Sequence, residues 1–136
     1  MKAPLAICIL ALTCAAQALQ DDLGLLTNYY LDCPAREGAR AAELRHVIQS
    51  ALAGDHTAMR QVIAHKGIFS TGDNEGYSEV PQALLRTLGD DQYSAFVRLQ
   101  SHQMQGLALT VYPEQIPAFD RRFPKTARLY HERFAH

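Results

Sequence analysis

Between Glu43 and Met104 the apolar residues recur at the helical period instead of alternating, and this constrains the fold more than any other feature of the chain. Leu44, Val47, Ile48, Ala51 and Leu52 stand at i, i+3, i+4, i+7 and i+8, while Glu43 and Arg45 fall off the stripe. Ala58, Met59, Val62 and Ile63 repeat the spacing, as do Val80, Leu84, Leu85 and Leu88. Tyr93, Phe96 and Val97 extend it towards Gln100 or Met104. An amphipathic helix of this length gains most of its stability by burying its stripe against a neighbour. The pattern therefore predicts an all-α protein whose helices pack pairwise.

Punctuation between the stripes sets the element boundaries. Gly54 reads as the stop of a helix over about 35–53, and Asp55 as the N-cap of the next, which Gly67 ends. "SEVPQALLRTLG" opens on Ser78 with Pro81 early in the helix, where a missing N–H costs little, and closes at Gly89. "GDD" then leads into a further helix. Upstream, Leu26, Tyr29, Tyr30 and Cys33 form a stripe that Pro34 closes, giving a first helix at about 22–33 with Asp21 and Asp22 at its start.

At a shift of 37 residues Val47 falls on Leu84, Ile48 on Leu85, Ala51 on Leu88, Ala58 on Ala95, Met59 on Phe96, Val62 on Leu99 and His65 on His102. Two of these seven pairs are identities, so the likeness lies in pattern more than in residue type. Periods of this size belong to arrays of helical hairpins. The layout over residues 43 to 102 resembles that of HEAT-type helical repeats, and it carries over no functional residue. The expected architecture is a small right-handed stack of antiparallel helical hairpins, about two of them plus a C-terminal helix.

In the last third, "GLALTVYPEQIP" fits either a strand, with Leu107, Leu109 and Val111 alternating, or the end of a helix; its helical neighbours favour the helix. Pro113, Pro117 and Pro124 divide the remainder of the chain into short pieces, predicting a turn of helix near 114–122 and a last helix from Pro124 to about Phe134. Arg121, Arg122, Lys125, Arg128 and Arg133 make this end locally basic. That suits a solvated face near a helix C-terminus, or else an acidic partner surface.

The N-terminus points to export. "MKAPLAICILALTCAAQALQ" places Lys2 before an uncharged run from Ala3 to Ala16 and then an Ala16-Gln17-Ala18 cleavage site, the order of a secretory signal peptide. Residues 1–18 are expected to be removed, leaving 19–136 as one helical domain in the periplasm or outside the cell. The short leader and a preference for arginine over lysine after it, 10 to 2, favour a bacterial source. Without Lys2, 12 basic residues face 14 acidic ones, a balance that argues against nucleic-acid binding. No later apolar run approaches membrane-spanning length, so no membrane association is expected after cleavage. Cys8 and Cys14 leave with the leader, and Cys33 is then unpaired: buried, or available for a disulfide linking two copies.

"GIFSTGDNEGYSEVP" carries Asp73, Asn74, Glu75 and Glu79 within seven positions. With Gly76 at position 6 of a calcium loop, Thr71 stands at position 1 and Gln82 at position 12, where a carboxylate is needed, so calcium is not expected. As the longest connection in the chain it is the natural place for binding contacts, from Asp73, Asn74, Glu75 and Tyr77. No two histidines are spaced to share a helical face, and no metal or other cofactor is assigned. His65 and His102 would approach if the repeat stacks, and both are candidate binding residues. The phosphate-binding glycine loops and the G-x-S-x-G elbow are missing, which lowers the standing of an enzyme. The favoured function is an exported protein-binding module, in its most concrete form an inhibitor or immunity protein that neutralises a toxin or hydrolase. The alternative is a small hydrolase or ligand-binding protein with a pocket between hairpins, using Tyr29, Tyr30, His65 and His102.

Overall fold

Residues Ala51 to Asp55 turn the chain by a backbone motif that the sequence dictates. The computed structural model describes residues 39–64 and 79–135. Within them α1 spans Ala39–Leu52, and after it the Gly54 N–H donates to the Ala51 carbonyl and the Asp55 N–H to the Ser50 carbonyl, each at 3.0 Å. That pair of bonds is the Schellman closure, and it requires the left-handed backbone that Gly54 adopts at φ 93°. Asp55 then caps α2, His56–Ile63, by accepting from the Ala58 N–H at 2.7 Å. Ala58, Met59, Val62 and Ile63 are all buried, as their spacing predicts. The helix ends at Ile63 with Ala64 as its C-cap.

The long element α3, Glu79–Arg98, is two helical limbs meeting at Gly89, whose φ of 79° and ψ of 170° no helix contains. Val80, Ala83, Leu84 and Leu85 are buried before the corner, and Tyr93, Phe96 and Val97 after it. The helix stop expected at Gly89 is this corner, but the break is shorter than "GDD" suggests, since Asp90 and Asp91 already belong to the second limb. The expectation that this stripe runs on to Met104 also fails. The limb stops at Arg98, Leu99 is 73% exposed, and Ser101 starts a new helix by accepting from the Met104 N–H at 3.3 Å.

This α4, His102–Ala108, resolves the ambiguity of 106–112 in favour of helix for its first part only; beyond Leu109 the chain is irregular. A 3₁₀ turn at Pro113–Gln115, a single turn α5 at Phe119–Arg122 and the terminal α6 at Pro124–Phe134 come next, as the prolines predict. All regular structure among the described residues is helical, and none of these helices is long and apolar enough to cross a membrane.

α3 is the hub. It packs against α1, α2, α4 and α6, so Ile48, Met59, Leu84, Leu85, Tyr93 and Phe96 meet in one core without solvent exposure beyond 1%. Two polar ties hold the C-terminal part onto the hub. The Asp90 carboxylate accepts from the Lys125 and Thr126 N–H groups, each at 2.8 Å, capping α6 from 35 residues away, and Lys125 Nζ lies 2.8 Å from Asp91. The buried Tyr93 hydroxyl donates to the Ala108 carbonyl at 2.8 Å, satisfying the C-terminus of α4.

In the 37-residue pairing Ile48 and Leu85 are both buried, as are Met59 and Phe96, but other pairs part company. Val62 is fully buried where its counterpart Leu99 is exposed, and Ala58 is buried where Ala95 is exposed. The leader, the helix expected at 22–33, Cys33, His65 and the loop at 67–78 lie outside the described residues.

Candidate functional site

Two surface grooves meet at Tyr112, on the irregular stretch between α4 and the 3₁₀ turn. One, of about 170 Å³, is lined by Leu109, Thr110, Tyr112, Tyr130 and Phe134. The other, of about 300 Å³, is lined by Ile63, Ala64, Leu107, Thr110 and Tyr112. Thr110 and Tyr112 form the wall they share. Its backbone is left-handed, at φ 43° and ψ 77°, a region that a bulky non-glycine residue enters only when its surroundings impose it.

The surroundings that impose it can be traced. The Thr110 hydroxyl donates to the Gly106 carbonyl at 3.0 Å and holds the chain against the last turn of α4. Pro113 comes directly after Tyr112 and disfavours the right-handed helical region at the residue before it. Ahead of the turn Val111 is buried, and behind it Gln82 of α3 donates its side-chain amide to the Gln115 amide oxygen at 2.8 Å. The Tyr112 ring is thereby left 46% exposed.

The opposite wall comes from α6. Tyr130 and Phe134, four residues apart on one helical face, lie with centroids 5.0 Å apart and their rings tilted at 50°, and the Phe119 ring meets Tyr130 edge-on at 6.0 Å. Phe134 is 45% exposed. Two of the three exposed large hydrophobic side chains among the described residues therefore border one cleft.

A third groove, of about 190 Å³, shares Leu109 with the cleft and is otherwise lined by Val97, His102, Gln105, Leu129, Glu132 and Arg133. His102, exposed at the start of α4, receives a hydrogen bond from the Arg133 guanidinium. Arg133 reaches it across Gly106, where an added Cβ would stand 3.1 Å from Arg133 Nη2. Of the residues expected to bind, His102 alone is described; His65, Asp73, Asn74, Glu75 and Tyr77 lie outside. Within the described residues His102 is partnered by Arg133, not by a second histidine.

The remaining polar clusters have structural explanations. His131 Nε2 stands 2.5 Å from Asp120, and both groups are more than half exposed. His56 packs edge-on against Phe96 at 5.2 Å. No group of three or more potential ligands that could hold a metal occurs among the described residues. Burial pushes the Tyr93 phenol well above its usual range, which keeps it a neutral donor to Ala108.

Sequence reasoning missed the aromatic cleft. Tyr112 carried one local signal, its place before Pro113, whereas Tyr130 and Phe134 showed only the spacing of any helical stripe. Comparison of the chain with models of known families, with characterised proteins and with solved structures finds no significant match.

Proposed function

We propose that the protein is an exported helical binding module that holds another protein, and that it acts as an inhibitor or immunity protein neutralising a toxin or hydrolase. The aromatic cleft of Tyr112, Tyr130 and Phe134 carries this proposal. Half-exposed aromatic side chains around a concave surface are used by protein interfaces as anchors, since they offer large area at small cost in rotamer entropy. The strained backbone at Tyr112 supports the same reading, because strain persists where a surface is shaped for contact. Rigidity comes from the scaffold, which we take to be a right-handed stack of two helical hairpins with α6 braced against it. Export to the periplasm or beyond is inferred from the leader, with Cys33 available to link two copies.

Affinity capture with the exported protein and identification of the proteins it retains tests the proposal. A defined protein should be held by the wild type and lost from Tyr112→Asn. Retention unchanged by that substitution ends the assignment of the cleft.

A second reading, a small hydrolase or ligand-binding protein, is favoured by the mixed groove of His102, Glu132 and Arg133. An experimental structure with His65 in hydrogen-bond reach of His102 inside a pocket would carry it. Both histidines facing solvent would end it.

A further inference from the structure

The aromatic cleft has a chemical preference as well as a shape. None of its described lining residues, Leu109, Thr110, Tyr112, Tyr130 and Phe134, bears a formal charge. The Thr110 hydroxyl is already committed to Gly106, while the Tyr112 and Tyr130 phenol oxygens have no hydrogen-bond partner among the described residues. The cations of α6 are turned elsewhere. At about 100° per residue Arg128 lies roughly 160° around the helix from Tyr130 and Lys125 roughly 140°, and Lys125 is bound to Asp91. Arg133 lies only about 60° around the helix from Tyr130, but its guanidinium is engaged with His102 and lines the neighbouring groove. His131, whose ring lies 5.5 Å from that of Tyr130, is already paired with Asp120.

An aromatic face is the negative end of the ring quadrupole and attracts a cation, more strongly as water is excluded. A carboxylate placed in this cleft would meet π faces and no cationic donor. An apolar side chain would gain area and leave two phenol oxygens without a new partner. A primary ammonium on an alkyl stem uses every part of the lining: the stem against Leu109 and Phe134, the cation against the ring faces, its N–H groups on the phenol oxygens.

We propose that the cleft receives the side chain of a lysine presented by the protein partner. This rests on the reading of the protein as a binding module, and it names the chemistry that its partner must display. The volume of about 170 Å³ suits one long side chain, so the partner supplies a protruding lysine and docks the surrounding surface around Tyr112.

The full chain, titrated with Nα-acetyl-lysine amide and followed by NMR of its aromatic ring protons, tests this; six tyrosines, five phenylalanines and no tryptophan keep that region assignable. The norleucine and arginine counterparts are run alongside. The lysine derivative should perturb the Tyr112, Tyr130 and Phe134 rings and bind at least about fivefold more tightly than norleucine. Tyr112→Asn should abolish the response; asparagine tolerates the left-handed backbone and so preserves the turn. Phe134→Leu, near the exposed chain end, should weaken it without disturbing the fold.

Equal or tighter binding of norleucine, tighter binding of arginine, no ring perturbation, or a response unchanged in both variants overturns the lysine proposal. A partner captured by the wild type and lost from Tyr112→Asn would still uphold the binding module in any of those cases, so the two failures separate.

Discussion

Gly89 shows how much one residue decides. Its φ of 79° with ψ of 170° lies in a region essentially confined to glycine, and nothing stands within 4 Å of where a Cβ would be. Gly89→Ala should therefore cost about 1–3 kcal/mol through backbone strain alone, visible as a lower urea midpoint with an unchanged slope. Asp90 next to it replaces the missing side-chain cap of α6, and Asp90→Ala should cost about 1–2 kcal/mol, with Asp90→Asn recovering only part of it because its amide offers one acceptor oxygen to two N–H donors. Tyr93 adds a pH dependence. Its phenol is held above the ordinary value of about 10 by burial, so on raising the pH the unfolded chain releases this proton first. Its contribution is thus complete below about pH 10 and declines above it. Tyr93→Phe should lose stability at neutral pH, with the Ala108 carbonyl left unpaired, and should show a shallower alkaline decline. Chemical denaturation across pH 7 to 11 measures both.

At the level of elements, the helices were legible because each stripe is local, and the Gly54-Asp55 turn was legible because its bonds close within five residues. Two boundaries were not, each for its own physical reason. Asp90 and Asp91 look like loop residues by type, but their carboxylates are satisfied by Lys125 and Thr126, a contact that only the assembled chain creates. Leu99 fits the preceding stripe by spacing, yet Ser101 competes as an N-cap and wins, leaving Leu99 in solvent. Ser101→Ala should consequently fray α4 from its first turn. Hydrogen exchange of the Met104 amide should quicken several-fold while amides of α3 remain protected; uniform exchange across both would remove this account of the boundary.

Across the described core, α3 carries the burden because α1, α2, α4 and α6 all pack against it. Leu84→Ala should cost about 2–5 kcal/mol, whereas Leu99→Ala, 15 residues further along, should fall within about 0.5 kcal/mol of wild type. The candidate site was the least legible level. It joins residues 109–112 to 130–134 through a turn whose handedness no periodicity encodes, and the loop and histidine residues expected to bind fall largely outside the described chain. A cleft assembled from separate elements shows itself only once those elements are packed. The central claim is that this cleft faces a partner. Site-specific photo-crosslinking in the producing cells tests it most directly, with the photoreactive residue placed at position 112 and, for comparison, at exposed position 128 on the other side of α6. A single defined protein adduct from position 112 and none from position 128 is the predicted result; adducts at both positions alike, or at neither, would contradict it.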